Sequence, residues 1–169
     1  PAILAGLDVK KIHQGVIKVI NQNNFSDSLK FAQIFKFFKS NQFSSNVLMT
    51  YSDGLYYFGK WYLQLWAESI GKKNRGVTPI HAVGTTDQHS QLQLYLDGPK
   101  DKFFTFIKCN YKNKGLTIDS EVMKSESVNY LVNKKMGDLM HAEQDATIDT
   151  FKLNNFKFRE IFLDNIDEE

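Results

Sequence analysis

The clearest evidence for the fold of this chain comes from residues Thr78–Pro99, TPIHAVGTTDQHSQLQLYLDGP. The short apolar run Thr78–Val83 is typical of a buried strand, and a helix over Asp87–Leu96 follows it and ends before a Gly-Pro pair. Small polar residues join the two, and His89 stands in the helix's first turn. Small residues at such a corner let a ligand approach the backbone, and a helix start offers unpaired N–H groups to an anion. The stretch therefore predicts one strand–helix unit with a candidate site at its corner.

In the rest of the chain, segments with apolar residues at helical spacing alternate with short apolar runs typical of strands. The other predicted helices are Asp8–Gln22, Ser26–Lys39, Leu55–Ser69 and Ser127–Leu153, and the other predicted strands are Asn46–Tyr51, Lys102–Lys108 and Phe158–Leu163. A polar stretch after the third strand predicts a hairpin around Asn113–Gly115. Apolar strands separated by helices imply a mostly parallel sheet covered on both faces. We therefore expect an α/β fold, a three-layer sandwich whose active edge lies at the carboxyl ends of its strands.

Composition limits the classes of protein to which the chain can belong. With 169 residues, 42% of them hydrophobic and 24% charged, it is typical of one soluble globular domain. The net charge of +2 and the lack of any Lys/Arg run longer than two favour no nucleic-acid partner. The single cysteine, Cys109, lies in an apolar context that predicts an inert buried thiol. No apolar run approaches the roughly 18 residues that span a bilayer and no signal peptide is present, so we expect a cytoplasmic protein without a membrane partner.

Both ends of the chain look cut. The chain opens on the apolar PAILAGLDVKK without a methionine, and it closes on Asp167–Glu169, acidic residues of the kind that begin a helix. We therefore expect residues 1–169 to be a single, incomplete domain, the C-terminal portion of a longer protein.

Glu68 and His89 are the candidate catalytic residues. Glu68 lies where a helix gives way to a basic loop in QLWAESIGKK, and His89 opens the next helix. We expect them at successive corners of one sheet, where they face the same crevice or crevices shared between subunits. A carboxylate and an imidazole so placed can act as base and proton shuttle. A solvated glutamate near a helix end and a structural histidine at a helix start fit the same pattern, and spacing alone leaves these alternatives open.

A longer pattern around these residues resembles the glucose-6-phosphate isomerase (phosphoglucose isomerase) family. Gln64–Lys72 carries Q-x-x-x-E-S-x-G-K, and Thr78–Pro99 matches TPxxxxGTxDQHSQxQLYxxGP, the form found in bacterial members. The tail HAEQDATIDTF, with a turn and a strand after it, resembles the family's A-x-x-Q-A-T helix and following strand. The resemblance covers essentially the whole chain and implies a sandwich of the sugar-isomerase (SIS) type.

The resemblance also implies roles for individual residues. Glu68 would move a proton between carbon 1 and carbon 2 of the opened sugar through a cis-enediol(ate), interconverting glucose 6-phosphate and fructose 6-phosphate. His89 would take part in opening the sugar ring, and Gln64 would contact the substrate. These roles are chemically sensible, because a proton beside a carbonyl needs a base held close, and a hemiacetal opens when its ring oxygen gains a proton as its hydroxyl loses one. The family implies no metal and no other cofactor.

Other parts of the family's site are absent from these 169 residues. The G-G-R-Y/F-S segment, whose arginine stabilises the enediolate, is expected before Pro1. The F-D-Q-x-G-V-E-x-x-K segment, whose lysine assists ring opening, is expected after the helix that begins at Asp167. The amino-terminal domain with its Ser/Thr-rich phosphate loop is missing as well. We therefore expect the 169 residues alone to be inactive.

The family's assembly is a homodimer in which the histidine matched by His89 reaches the sugar held by the other chain. The helix that His89 opens carries more apolar residues (Leu92, Leu94, Tyr95 and Leu96) than one core-facing stripe needs, which favours a partner surface or else a fully buried helix. The alternative function is a non-catalytic sugar-phosphate-binding or regulatory module on the same fold. Such a module would not need a carboxylate at Glu68.

The remaining polar candidates have simpler interpretations. His13 and His141 lie on predicted helices without partners at metal-binding spacing, so surface or packing roles are expected, and His81 is expected to be a satisfied interior histidine. The aromatics of YYFGKWYLQLW are expected in the core and an interface. The basic loop of Lys72, Lys73 and Arg75 either attracts an anionic sugar phosphate or is a solvated loop.

Overall fold

The computed structural model describes residues 1–21, 26–40, 43–121 and 123–167. The chain divides into two compact units, one of Pro1–Gln42 with Asn165–Glu169 and the other of Phe43–Asp164. The single domain expected from the sequence stays a prediction. The helix expected from Asp167 onward falls largely on residues 168 and 169, outside the described residues.

The described residues of the first unit form the helices α1 (Val9–Asn21) and α2 (Ser26–Ser40). The Asp8 carboxylate accepts hydrogen bonds from the backbone N–H groups of Lys10 and Lys11, at 3.0 and 3.3 Å. Asp8 therefore caps α1 and lies outside it, which is why the helix begins one residue later than the apolar period predicts. Residue 22, the predicted end of α1, lies outside the described residues.

The second unit is built on a four-stranded parallel sheet. Its strands are β1 (Ser45–Thr50), β2 (Thr78–Val83), β3 (Lys102–Cys109) and β4 (Phe158–Leu163), in the spatial order β2-β1-β3-β4. In the register, β1 pairs with β2 from Ser45↔Thr78 onward and with β3 from Ser45↔Lys102 onward. The two central strands, β1 and β3, are almost wholly buried, which explains their continuous apolar character.

Helices cover both faces of this sheet. The helix α3 (Tyr56–Ile70) packs on one face, where the smaller core cluster contains Leu48 and Ile107. The helices α4 (Thr86–Asp97) and α5 (Met136–Leu153) cover the other face, and their side holds the larger cluster. That cluster includes Val47, Met49, Tyr51, Tyr95, Phe104, Phe106, Ile148 and Phe151. The predicted α/β three-layer sandwich is therefore confirmed, and every strand pair described is parallel.

The long helix predicted over Ser127–Leu153 is wrong in its first part. A 3-10 helix (Glu126–Leu131) comes first, and α5 begins only at Met136. Between them Asn133 adopts the left-handed conformation (φ 65°), which ends the first helix. Lys135 is extended, and its N–H donates to the Asp138 carboxylate at 2.9 Å, so Asp138 caps the new helix start.

The predicted hairpin around Asn113–Gly115 is also wrong. A turn does form there, closed by a 2.9 Å hydrogen bond from the Lys114 N–H to the Tyr111 carbonyl, but no strand pair flanks it within the described range 43–121. The chain after the turn pairs instead with the segment before α5, through an isolated antiparallel bridge between Thr117 and Lys135. The residues of the turn alone therefore could not show whether a hairpin follows or, as here, a loop that contacts the segment before α5.

Candidate functional site

Gln64 and Glu68 lie together on the exposed side of α3. The Gln64 side-chain amide donates to Glu68 Oε1 at 3.1 Å, one helical turn away, and both residues are exposed. α3 continues for two residues past Glu68 and stops at Gly71, whose N–H donates to the Ala67 carbonyl at 3.0 Å. The structure thus brings two of the three predicted site residues into contact, with Glu68 close to the helix end as expected.

The basic loop after α3 is a solvated turn. Lys72, Lys73 and Arg75 are exposed, and Lys73 is left-handed (φ 54°). A surface pocket of about 330 Å³ lies beside this loop, and the residues that line it include Trp66, Ile70 and Arg75 but not Glu68. The indole N–H of Trp66 donates to the Val77 carbonyl at 3.1 Å and so ties α3 to the segment that leads into β2.

His89 lies in the first turn of α4 and faces solvent. Within the described part of the chain, its imidazole has no hydrogen-bond or ion-pair partner. α4 itself is not fully buried, because Leu94 is exposed while Tyr95 is buried in the core. The alternative of a fully buried helix is therefore wrong.

The corner before α4 is filled by the protein's own groups. Gly84 is buried against the ring of Tyr51, and a Cβ at this position would come within 2.4 Å of a ring carbon. The Asp87 carboxylate accepts a hydrogen bond from the Val83 N–H at 2.6 Å. The interpretation that small residues here admit a ligand to the backbone is wrong at Gly84, where the glycine makes room for an aromatic ring.

Glu68 and His89 lie at opposite edges of the sheet. β1 and β2 are parallel, so α3 must run back from the end of β1 to the start of β2, and its last turn lies at the edge where the strands begin. His89 follows the end of β2. The six residues of β2 (Thr78–Val83) separate the two sites, a distance of about 20 Å. One chain therefore does not bring both residues to one crevice, and the expectation that they face the same crevice within a chain is wrong.

His81 is the interior histidine that the sequence predicts. Its Nε2 lies 3.0 Å from the Thr50 hydroxyl, and its ring packs under α3 against Gly59, where a Cβ would come within 2.2 Å of the imidazole. Burial lowers the pKa of His81, and the nearby Lys60 lowers it further, while Asp87 acts in the opposite direction. A neutral imidazole therefore fits this position.

The other single candidates have structural surroundings. His13 is exposed on α1, and His141 lies 3.5 Å from Asp145 and 3.1 Å from the Gln144 amide. Cys109 is a buried free thiol, as expected. No group of three or more potential metal ligands occurs among the described residues. Of the aromatic residues on α3, Tyr62 packs against the core, whereas Tyr57 and Trp61 are exposed.

A hydrogen-bond network beside His89 was missed by the sequence analysis. The hydroxyls of Tyr51 and Thr147 both donate to Gln88 Oε1 at 3.0 Å, and Gln88 Nε2 donates to Glu143 Oε2 at 3.3 Å. Burial raises the pKa of Tyr51 to about 12. The only signal in the sequence was the position of Gln88 next to His89, because its partners come from β1's end and from α5, far along the chain.

Comparison with known proteins places the chain beside sugar-phosphate isomerases. It is 36% identical over 173 aligned residues to a probable glucose-6-phosphate isomerase of Methanococcus maripaludis, covering 99% of this chain and 38% of the relative. It is 37% identical over 152 residues to the glucose-6-phosphate isomerase of Rubrobacter xylanophilus, covering 87% of this chain and 35% of the relative. The chain thus spans somewhat more than a third of the length of these curated relatives. No family model matches it.

A solved structure also resembles the fold. The crystal structure of a hypothetical protein from Thermus thermophilus matches with a TM-score of 0.86 and 28% sequence identity, over 97% of this chain and 41% of that one. This likeness agrees with the sandwich of the sugar-isomerase type that the sequence predicted. None of the described helices has the length and apolar character needed to cross a bilayer.

Proposed function

We propose that this chain, which belongs to the glucose-6-phosphate isomerase family, is part of an aldose–ketose isomerase that interconverts glucose 6-phosphate and fructose 6-phosphate. The observation that carries the proposal is the similarity to named isomerases over nearly the whole chain, with 36% identity over 99% of it in one case. The substrate is then a sugar phosphate, and the protein works without a metal or other cofactor.

Glu68 is the proton-transfer base in this proposal. Its carboxylate takes the proton from carbon 2 of the open-chain aldose, and the electron pair of that C–H bond moves through carbon 1 to the carbonyl oxygen, which gives a cis-enediolate. The carboxylate then returns the proton to carbon 1, while the proton of the carbon 2 hydroxyl passes to the carbon 1 oxygen and the carbonyl forms at carbon 2. The Gln64 amide, 3.1 Å from Oε1, holds one carboxylate oxygen and leaves the other open to the substrate. Gln64 is also well placed to contact the same sugar, since both side chains are exposed on one face of α3.

His89 is the proposed ring-opening group. Opening a hemiacetal requires a proton to be delivered to the ring oxygen and another to be removed from the carbon 1 hydroxyl, and imidazole is the side chain best suited to this exchange near neutral pH. Because Glu68 and His89 lie at opposite ends of β2, a complete site needs His89 from a second copy of the chain. The exposed and unpartnered imidazole among the described residues supports this arrangement.

Catalysis in this proposal also draws on groups that are not among these 169 residues. The arginine that stabilises the enediolate, the lysine that assists ring opening and the phosphate loop belong to segments that the sequence does not contain. We therefore expect the 169 residues by themselves neither to bind fructose 6-phosphate tightly nor to turn it over. Robust turnover by a protein confirmed by intact mass as these residues alone would contradict this expectation.

Replacing Glu68 with glutamine tests the proposed function. In a protein that carries this segment with the remaining segments of the family, Glu68→Gln keeps the shape of the side chain and removes the base. Because a general base contributes about 10²- to 10⁴-fold, turnover should fall by that factor while fructose 6-phosphate binding, measured by calorimetry, persists. Glu121→Gln, at an exposed glutamate outside the helices and strands, is the matched control and should leave turnover unchanged. Near-normal turnover in Glu68→Gln would refute the assignment, and binding without any wild-type turnover would favour the non-catalytic module.

A further inference from the structure

Gln88 is the most completely fixed polar side chain beside the proposed catalytic histidine. Its carbonyl oxygen accepts hydrogen bonds from the Tyr51 and Thr147 hydroxyls, and its amide nitrogen donates to the Glu143 carboxylate. Tyr51 is fully buried and Thr147 is 4% exposed. Turning the amide over would place its oxygen against the carboxylate of Glu143, so the amide has one orientation only.

These bonds join three elements at one point. Tyr51 follows β1, Glu143 and Thr147 lie on α5, and Gln88 lies in the first turn of α4. The neighbouring Asp87 ties the same turn to the end of β2 through the Val83 N–H, at 2.6 Å. Successive helical residues point about 100° apart, so Gln88 is directed into the protein while His89 faces solvent.

The start of α4 needs such support. The first N–H groups of a helix lack partners within it, and a side chain at the residue before the helix usually compensates. Thr85, which occupies that position, makes no side-chain capping hydrogen bond. The side-chain bonds of Asp87 to the end of β2 and of Gln88 to Tyr51 and α5 therefore hold this turn in place, although they do not satisfy its N–H groups.

The geometry points to Gln88 as a positioning residue that fixes the first turn of α4 and thereby aims the His89 imidazole at the sugar ring. This inference rests on the proposed function, because it assigns Gln88 a part in ring opening. Gln88 itself touches no reacting atom. Misplacement of a catalytic group by about 1 Å costs on the order of 100-fold in rate, so loss of the Gln88 bonds should slow ring opening by about 10- to 100-fold.

Four variants in the intact protein separate this role from a general effect on folding. Gln88→Leu removes all three hydrogen bonds, and Gln88→Glu places a second carboxylate against Glu143. The double variant Gln88→Glu with Glu143→Gln reverses the direction of that one bond, and its carboxylate still accepts from Tyr51 and Thr147. Gln93→Leu, at an exposed position of the same helix bonded only to Asp97, is the matched control.

Two rates are measured for each variant, the interconversion of glucose 6-phosphate anomers and the isomerisation to fructose 6-phosphate. Anomer interconversion requires ring opening but no proton transfer at carbon 2. Gln88→Leu and Gln88→Glu should lower kcat for both by about 10- to 100-fold with KM changed less than about 3-fold. The double variant should return to within about 3-fold of wild type, while Glu68→Gln loses isomerisation alone.

Hydrogen exchange over residues 86–92 gives a readout that does not depend on activity. Gln88→Leu should speed exchange there and Gln93→Leu should not. Unchanged exchange and unchanged anomer interconversion in Gln88→Leu would overturn the inference, as would a double variant no better than Gln88→Glu. If wild-type protein shows no isomerisation, the proposed function fails, and the exchange result still decides whether Gln88 holds the turn.

Discussion

At the scale of single residues, His81 shows how closely this fold packs around an ionisable group. The imidazole lies under α3 against Gly59 and is paired with the Thr50 hydroxyl. Burial and the nearby Lys60 lower its pKa, so the folded chain takes up a proton at this residue less readily than the unfolded chain. Well above pH 6.5, the ordinary pKa of histidine, both states hold a neutral imidazole and His81 adds no pH dependence. As the pH falls through that value the unfolded chain binds the proton first, so stability falls as the solution is acidified.

The variant His81→Gln isolates this effect. The glutamine amide nitrogen can take the place of Nε2 beside Thr50, and it does not titrate. We expect the free energy of unfolding, measured by urea denaturation, to fall less steeply between pH 7.5 and pH 5 in His81→Gln than in wild type. The difference between the two slopes should correspond to at most about one bound proton. His13→Gln, at an exposed position on α1, is the matched control. Equal slopes in wild type and His81→Gln would show that His81 is not the titrating group.

Some site residues contact near neighbours in the sequence and could be predicted, whereas others contact distant segments and could not. Gln64 and Glu68 were predictable as a pair, because a spacing of four residues on a helix brings side chains together. His81 was predictable as an interior residue from its apolar strand. The partners of Gln88 were not predictable, since Tyr51 and Glu143 approach it only after β1 and α5 have packed on α4. Sequence spacing likewise could not place Glu68 and His89 at opposite edges until the direction of α3 relative to β2 was known.

At the scale of elements, strands and helices with strong periodicity were predicted within one or two residues, and the start of α5 was not. β2 and β4 match their predicted bounds. The segment before α5 contains neither proline nor a glycine at the break, and its one local signal is asparagine at position 133, a residue type that adopts the left-handed conformation more readily than most. The break is made by long-range hydrogen bonds, such as the 3.0 Å bond from the Asn133 N–H to the Ile118 carbonyl.

The first turn of α5 docks on the loop after β3 through Gly137. A Cβ there would come within 2.1 Å of the Tyr111 carbonyl oxygen and 2.7 Å of that of Lys114. Gly137→Ala should therefore lower the free energy of unfolding by about 1–3 kcal/mol, although the same change at an open helical position would raise it by up to about 1 kcal/mol. Met136→Ala, at the exposed neighbouring position, controls for the helix start and should change stability by less than about 1 kcal/mol. A higher melting temperature in Gly137→Ala would mean that the helix start does not approach the loop this closely.

At the scale of the whole molecule, the separation of Glu68 from His89 decides what assembly the proposed enzyme needs. A single bound sugar cannot contact both residues of one chain. Two copies related by a twofold axis can each lend His89 to the site of the other, the commonest symmetry among homo-oligomers. Exposed aromatic residues on α3, among them Tyr57 and Trp61, are available for such a contact.

Mixing two inactive variants of the intact protein tests this arrangement. One carries Glu68→Gln and the other His89→Ala, and each alone should be nearly inactive. Random exchange makes about half of the dimers mixed, and each mixed dimer has one site of two with both groups intact, so activity should return to about a quarter of the wild-type value.

Subunit exchange is verified by native mass spectrometry, with each variant incubated alone as the control. If mixed dimers form and no activity returns, Glu68 and His89 of different chains do not complete one site, and the shared site is refuted.

The return of α3 to the edge where the strands begin has a consequence for the kinetics of the proposed enzyme. When one chain holds the base and another holds the ring-opening group, the number of working sites depends on association by mass action. Dilution below the dissociation constant of the pair would then abolish turnover although every chain stays folded. The specific activity would then report the fraction of chains that are assembled. A substitution on the contact surface, far from the sugar, could inactivate the enzyme as completely as the loss of its base.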